Sequence, residues 1–187
     1  MDIFKEKKCF IFDFDGTLAD SIEFWDIYGR SKPDLAHFYE YMKDIYKDVI
    51  QPIPGSLEFV KHCHDTGKKC YIATATDLKV CGGCIERLGY DKYVEKSFCC
   101  RDFGVRKTEG FYKKVAEATG FDIKDIVIFE DNTEWARVAY NDGFDIAAVY
   151  ERHNTAFDEL ASFAVLTVTD FNLVKKQTEI RMEALNG

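Results

Sequence analysis

The sequence predicts an α/β domain: a parallel sheet covered by helices, with one helical hairpin inserted near its start. Three observations predict it. Short apolar runs alternate with amphipathic helical stretches along most of the 187 residues, the order that builds parallel sheets with right-handed crossovers. Gly67, Gly89, Gly120 and Gly143 fall where helices should stop, each before a turn into the next apolar run or its approach. Residues 19–51 break the alternation, with two helical patterns and no strand.

The first strand is expected at 8–13, where Cys9-Phe10-Ile11-Phe12 is an unbroken apolar run of the kind buried on both faces. In the insert, Ile22, Trp25 and Tyr28 mark one helix, and Leu35, Phe38, Met42, Ile45 and Val49 a second, with apolar positions three and four apart. Ser31-Lys32-Pro33-Asp34 reads as the turn between them, Pro33 preparing the helix start. Gln51-Pro52-Ile53-Pro54-Gly55 returns the chain to the main body. Further helices are expected at 55–66, 78–88, 108–119, 133–142 and 169–184, and strands at 69–74, 96–99, 125–130, 145–149 and, more weakly, 163–166. The expected division is a core of residues 1–18 and 52–187 around the insert 19–51. There is no internal repeat and no low-complexity segment.

Composition narrows the function classes. About half the residues are apolar, enough for a core at this length. The net charge of −8 argues against nucleic acid and anionic membranes as partners, because phosphate backbones reward basic surfaces. A small phosphorylated substrate needs only a local positive pocket and stays open. No apolar stretch approaches the roughly 20 residues of a membrane span. Met1 to Lys8 runs into the first strand without a signal peptide's apolar segment, so a cytoplasmic location is expected. The seven cysteines are odd in number, and Cys9, Cys70 and Cys99 lie inside apolar runs, which favours reduced core thiols over a disulfide framework. No pattern sets an oligomeric state.

Ligands of open parallel sheets bind at the carboxyl ends of the strands, and four stations lie there. The first strand ends in Asp13-Phe14-Asp15-Gly16-Thr17, the second in Thr74, and the strand Ile126-Val127-Ile128-Phe129 in Glu130-Asp131-Asn132, while Arg106 and Lys107 precede the helix expected at 108. Carboxylates at the edge of a core cost free energy unless a metal or a reaction uses them. Two at i, i+2 on an extended stretch point roughly the same way, which suits a divalent cation beside a phosphoryl group.

This set resembles the haloacid dehalogenase superfamily of phosphotransferases over roughly residues 8–150, the insert excepted. The four motifs are Asp13-Phe14-Asp15-Gly16-Thr17, Thr74 in Ile72-Ala73-Thr74-Ala75-Thr76, Lys107, and Glu130-Asp131, in the family's order. The resemblance implies a Rossmann-like three-layer core with a central parallel sheet and a small inserted α-helical cap. It implies a Mg2+-dependent phosphatase acting on a small phosphorylated metabolite. Asp13 would be the nucleophile and form an aspartyl-phosphate. Asp15 would be the general acid and then base, entering the first step protonated while Asp13 stays ionised. The metal would take an oxygen of Asp13, the main-chain carbonyl of Asp15 and the carboxylate of Asp131, with Glu130 a ligand itself or acting through water. Thr74, with main-chain N–H groups of Phe14, Gly16 and Ala75, would hold the phosphoryl oxygens, and Lys107 would neutralise them.

Two positions depart from the family pattern. The lysine stands in Arg106-Lys107-Thr108 rather than between Gly and Pro, so Arg106 competes for its role; Thr108 as a helix cap would favour Lys107. Where the family often carries another acid four residues after the fourth motif's acid, this chain has Trp135. Other readings stand beside the functional ones. Asp20 and Ser21 either cap the next helix or touch substrate. The insert's aromatics (Phe24, Trp25, Tyr28, Phe38, Tyr39, Tyr41, Tyr46) either pack together or stack on a ring, and Arg30 and Lys32 are candidates for a second anionic group. Cys81 and Cys84 with Cys99 and Cys100 have zinc-site spacing but fall in a helix and a strand. The rival functions are a phosphomutase, which also needs Asp15, and a non-catalytic phospho-binding or regulatory module.

Overall fold

The computed structural model describes residues 3–29 and 35–186, the side chains of 3, 28–29, 35–41 and 180–186 excepted. The chain runs α1 (Ile3–Glu6), β1 (Cys9–Phe12), β2 (Ala19–Asp20), α2 (Ile22–Gly29), α3 (Leu35–Val49), β3 (Gln51–Pro52), α4 (Ser56–Asp65), β4 (Lys69–Thr74) and α5 (Leu78–Leu88). It continues through β5 (Lys96–Cys99), α6 (Cys100–Phe103), α7 (Phe111–Thr119), β6 (Ile126–Glu130), α8 (Thr133–Asn141), β7 (Asp145–Val149), α9 (Phe157–Phe163), β8 (Leu166–Val168) and α10 (Phe171–Asn186).

Six strands form one parallel sheet in the order β5-β4-β1-β6-β7-β8. The crossovers reverse direction between β1 and β6, and the crevice outside that pair is where doubly wound sheets bind ligands. Phe12 pairs with Ile72 on one side and Phe129 on the other, which brings the tips of β4, β1 and β6 level. The apolar run of β1 divides by parity. Phe10 and Phe12 belong to one buried cluster with Phe129, Phe59 of α4 and Phe171 of α10; Phe12 and Phe129 stack at 4.5 Å. Cys9 and Ile11 join Ile126, Ile128, Phe111 of α7 and Ala136 of α8 on the opposite face. Every residue of β1 is buried, which explains a sequence with no polar alternation. The three-layer architecture is the one expected.

The insert is tied into this core. Met42 and Tyr46 of α3 and Phe24 of α2 lie in the same buried cluster as Phe10 and Phe12. Arg87 of α5 donates to the main-chain carbonyls of Lys47 and Ile50. At its base the chain pairs Ala19 with Pro52 and Asp20 with Gln51, an antiparallel ribbon too short to leave a period in the sequence. The expected turn Ser31–Asp34, with Arg30 and Lys32, lies outside the described residues, as do the side chains of Tyr28, Phe38, Tyr39 and Tyr41.

Two local expectations are corrected. The last strand is 166–168 rather than 163–166, because residues 157–163 form α9, with Leu160 buried on its inner face. Helix α7 begins at Phe111 rather than Thr108; Lys107–Glu109 is a single 3-10 turn, and Gly110 in a left-handed conformation separates the two. Thr108 therefore caps nothing. The Glu109 carboxylate instead accepts from the Arg106 main-chain N–H at 3.1 Å.

Candidate active site

The strand tips converge on a cavity of about 440 Å³ lined by Asp13, Asp15, Thr74, Ala75, Asp131 and Trp135, among others, with Trp25 of the insert on its wall. Asp13 extends β1 by one residue, its N–H donating to Phe129 O at 2.9 Å. Lys107 is buried, with Nζ 2.6 Å from Asp13 Oδ1 and 2.8 Å from Glu130 Oε2. The contact with Asp13 is an ion pair outside hydrogen-bond geometry; the one with Glu130 is also a hydrogen bond. The ammonium lies 4.6 Å from the centroid of the Trp135 ring, so the residue that replaces an acid covers the lysine with a π face. Arg106 is exposed. Lys107 is the cation placed against Asp13.

Asp13, Glu130 and Asp131 offer carboxylate oxygens all within 4.8 Å of one another. All three are buried. Glu130 is already engaged by three donors: Oε2 accepts from Lys107 and from the Tyr112 hydroxyl, and Oε1 from the Asn132 N–H. Asp131 Oδ1 accepts from Thr17 Oγ1 at 2.9 Å, and its main-chain carbonyl from Asn154 Nδ2 at 2.6 Å. Asp13 Oδ2 is buried without a hydrogen-bond donor. Among the described residues, one buried ammonium thus faces three buried carboxylates. The deficit is two positive charges, and a divalent cation on oxygen ligands fits it.

The electrostatics report the same deficit. Burial, then Glu130, push the Asp13 carboxyl well above the ordinary range, although Lys107 pulls it back. Asp131 is raised in the same way by burial and then by Glu130. Burial alone would lower the Lys107 ammonium, but Asp13 and Glu130 outweigh it and hold it above the usual lysine range. The direction at Asp13 is opposite to that expected of an ionised nucleophile. A bound dication inverts this local balance.

Gly16 stands at φ +83°, and a Cβ there would come within 2.4 Å of Asp131 Oδ2. Only glycine leaves room for that carboxylate. The expectation that its N–H holds phosphoryl oxygens is corrected: that N–H donates to Ala19 O at 2.9 Å, closing the turn after Asp15. The Phe14 side chain is buried against Tyr90, so Phe14 faces the site through its backbone alone. Thr74 is buried at the tip of β4 and Ala75 is exposed on the cavity wall.

Asp15 is the most heavily hydrogen-bonded group in the site. Its Oδ1 accepts from Ser21 Oγ at 2.7 Å, Trp25 Nε1 at 2.7 Å and Tyr46 OH at 2.5 Å. Its Oδ2 accepts from Thr76 Oγ1 at 2.7 Å and, more weakly, Thr74 Oγ1 at 3.4 Å. Burial, then the neighbouring Asp15 charge, hold the Tyr46 phenol well above its usual range, so it stays a donor. Ser21 thus serves Asp15 with its hydroxyl rather than capping α2, and Asp20 pairs with Arg152 at 3.3 Å. Sequence reasoning missed Thr17, Thr76, Tyr112 and Asn154. Thr76 had a signal, lying two residues beyond Thr74 on an extended stretch; the others are set by contacts distant in sequence. All seven cysteines are free thiols, six of them buried.

Comparison with known proteins agrees with this geometry. The family model described as haloacid dehalogenase-like hydrolase matches residues 26–149, more than half of the chain. Among curated proteins, none matches significantly. Solved structures share the fold. A candidate beta-phosphoglucomutase from Thermotoga maritima is 20% identical, with a TM-score of 0.74 over 92% of this chain and 99% of that one. A predicted phosphoglycolate phosphatase from Haemophilus somnus 129PT is 13% identical, with a TM-score of 0.74 over 92% and 98%. A HAD family hydrolase from Deinococcus radiodurans R1, solved with phosphate and sodium bound, is 13% identical, with a TM-score of 0.69 over 90% and 93%.

Proposed function

The chain belongs to the haloacid dehalogenase-like hydrolases, and from that premise we propose that it is a Mg2+-dependent phosphatase acting on a small phosphorylated metabolite. The observation that carries the reading is the charge deficit: three buried carboxylates around one lysine, with Asp13 Oδ2 unpartnered. Asp13 and Asp131 would hold the cation with the main-chain carbonyl of Asp15, and Glu130 would mainly position Lys107. When bound, the cation supplies the charge that lets a carboxylate approach an anionic phosphoryl group.

The protein's own groups supply the remaining roles. An Asp13 oxygen attacks phosphorus, the bond to the leaving oxygen breaks, and that oxygen takes a proton from Asp15. Water then attacks the aspartyl-phosphate, Asp15 takes the water proton, the bond between Asp13 and phosphorus breaks, and inorganic phosphate departs. Thr74, Lys107 and the main-chain N–H groups of Phe14 and Ala75 hold the phosphoryl oxygens. Residues 19–51 would serve as the cap, on a core of 1–18 and 52–187.

A phosphate-release screen over phosphorylated metabolites, with Mg2+ and with EDTA, tests the reading beside Asp13→Asn. Release should require the metal and fall at least about a thousandfold in the variant. Turnover that survives Asp13→Asn would remove the nucleophile from this account. The fold shared with the candidate beta-phosphoglucomutase keeps one alternative in the assay. Isomerisation of a sugar phosphate that requires a sugar bisphosphate and releases no free phosphate would assign mutase chemistry instead.

A further inference from the structure

The family resemblance gives Asp15 a role but does not say what aims it. We propose that Trp25 and Tyr46, both from the insert, are positioning residues that hold the Asp15 carboxyl by Oδ1 and leave Oδ2, the oxygen on the Thr74 side, for proton transfer. The inference rests on the phosphatase reading.

Oδ1 receives three donors, all from residues 21–46. A carboxylate oxygen has two lone pairs, so three donors fill it. Serine and tyrosine hydroxyls can rotate to accept a proton, but an indole N–H is a donor only. A proton on Oδ1 would leave one lone pair for three donors, so at least one of them would have to turn away or be lost. The Tyr46 phenol is fully buried beside it, away from water that could replace a lost partner. Oδ2 faces only threonine hydroxyls, Thr76 and Thr74, which can both donate and accept. When Thr74 turns to a phosphoryl oxygen, Oδ2 keeps Thr76 alone and has a lone pair free.

The anchors are themselves held. Trp25 and Tyr46 lie 5.5 Å apart by ring centroid, and Phe24 packs edge-on against both. Helix α3 is fixed to α5 through Arg87. The start of α2 is fixed by Arg152, which pairs with Asp20 at 3.3 Å and Glu23 at 3.2 Å. The insert thus acts on the chemistry through one carboxylate oxygen.

Leaving-group dependence separates this role from a purely structural one. A good leaving group departs without a proton and a poor one does not, and kcat/KM reports the steps up to its expulsion. The full chain and the variants Tyr46→Phe and Trp25→Phe are assayed with saturating Mg2+ on substituted phenyl phosphates, from p-nitrophenyl to unsubstituted phenyl. Each variant should lose about tenfold or more in kcat/KM on phenyl phosphate and less than about threefold on p-nitrophenyl phosphate. Phe24→Leu loosens the same cluster without removing a donor and should lower the whole series in parallel. Equal losses across the series in Tyr46→Phe and Trp25→Phe, or no loss, overturn the positioning role and leave the phosphatase reading standing. A wild-type chain that hydrolyses no member of the series and no metabolite in the phosphate-release screen overturns both. Thermal melts identify a misfolded variant, and Tyr46→Phe, which removes a single oxygen, then carries the comparison.

Discussion

Removing the positive charge at Lys107 should expose how far the site is held together electrostatically. In Lys107→Met the side chain keeps its length and loses its ammonium, leaving Asp13 and Glu130, 2.6 and 2.8 Å from the former nitrogen, without their shared counter-ion. Breaking a buried pair by deleting one partner costs about 3–5 kcal/mol. The cost depends on pH, with a defined sign. Asp13 has a folded pKa already above its unfolded value of 3.8, and the variant loses the one group that pulls it down. Below that unfolded value both states are protonated and the penalty vanishes. As pH rises towards the folded value, the unfolded chain releases its proton first and stability is lost, at about 1.4 kcal/mol per pH unit for each proton retained. Between about pH 5 and pH 7.5 the gap between wild type and variant should widen, by about 1.4 kcal/mol for each pH unit that lies between their two folded Asp13 values. Urea unfolding in EDTA at the two pH values measures it. A gap under about 1 kcal/mol at the higher pH, or one that does not change with pH, would refute the reasoning.

Two further outcomes follow from the same coordinates. Gly16→Ala places a Cβ 2.4 Å from Asp131 Oδ2 at φ +83°, so it should cost about 1–2 kcal/mol of backbone strain and displace a proposed ligand. The Mg2+ concentration that raises the melting temperature should increase about tenfold or more; an unchanged Mg2+ dependence would separate Asp131 from the cation. Burial pushes the Cys9 and Cys70 thiols up to about 12. Above an ordinary thiol value of 9.0 the unfolded chain deprotonates first, so each thiol should cost about 1 kcal/mol by pH 10, read as a falling urea midpoint that Cys70→Ala partly restores.

The fold was legible because its signals are local. The four-residue run of β1 reads as buried on both faces without any knowledge of Phe59 or Ile128, and Gly89 and Gly120 mark helix ends by needing only their own left-handed φ. Errors fell where local signals conflict or are too short. Residues 163–166, Phe-Ala-Val-Leu, form an unbroken apolar run that reads as a strand although Phe163 ends α9, and the ribbon of Ala19 and Pro52 is too brief for any period. Thr108 looked like a cap because threonine caps well in general; the left-handed Gly110 is what sets the start of α7.

The site divides in the same way. Residue order placed Asp13, Asp15, Thr74, Glu130 and Asp131 at strand ends and Lys107 before a helix, the family resemblance gave them roles, and a parallel sheet gathers its strand tips along one edge. Tertiary structure alone buried Lys107 against Asp13 and left Arg106 exposed, spent the Gly16 N–H on Ala19, and brought Tyr46 to Asp15 across 31 positions. It also brought Thr17 to Asp131 across 114. The physical reason is reach. Periodicity and turn chemistry act over a few residues and decide where a chain turns, whereas a side chain's hydrogen-bond partner depends on which elements the whole core packs side by side.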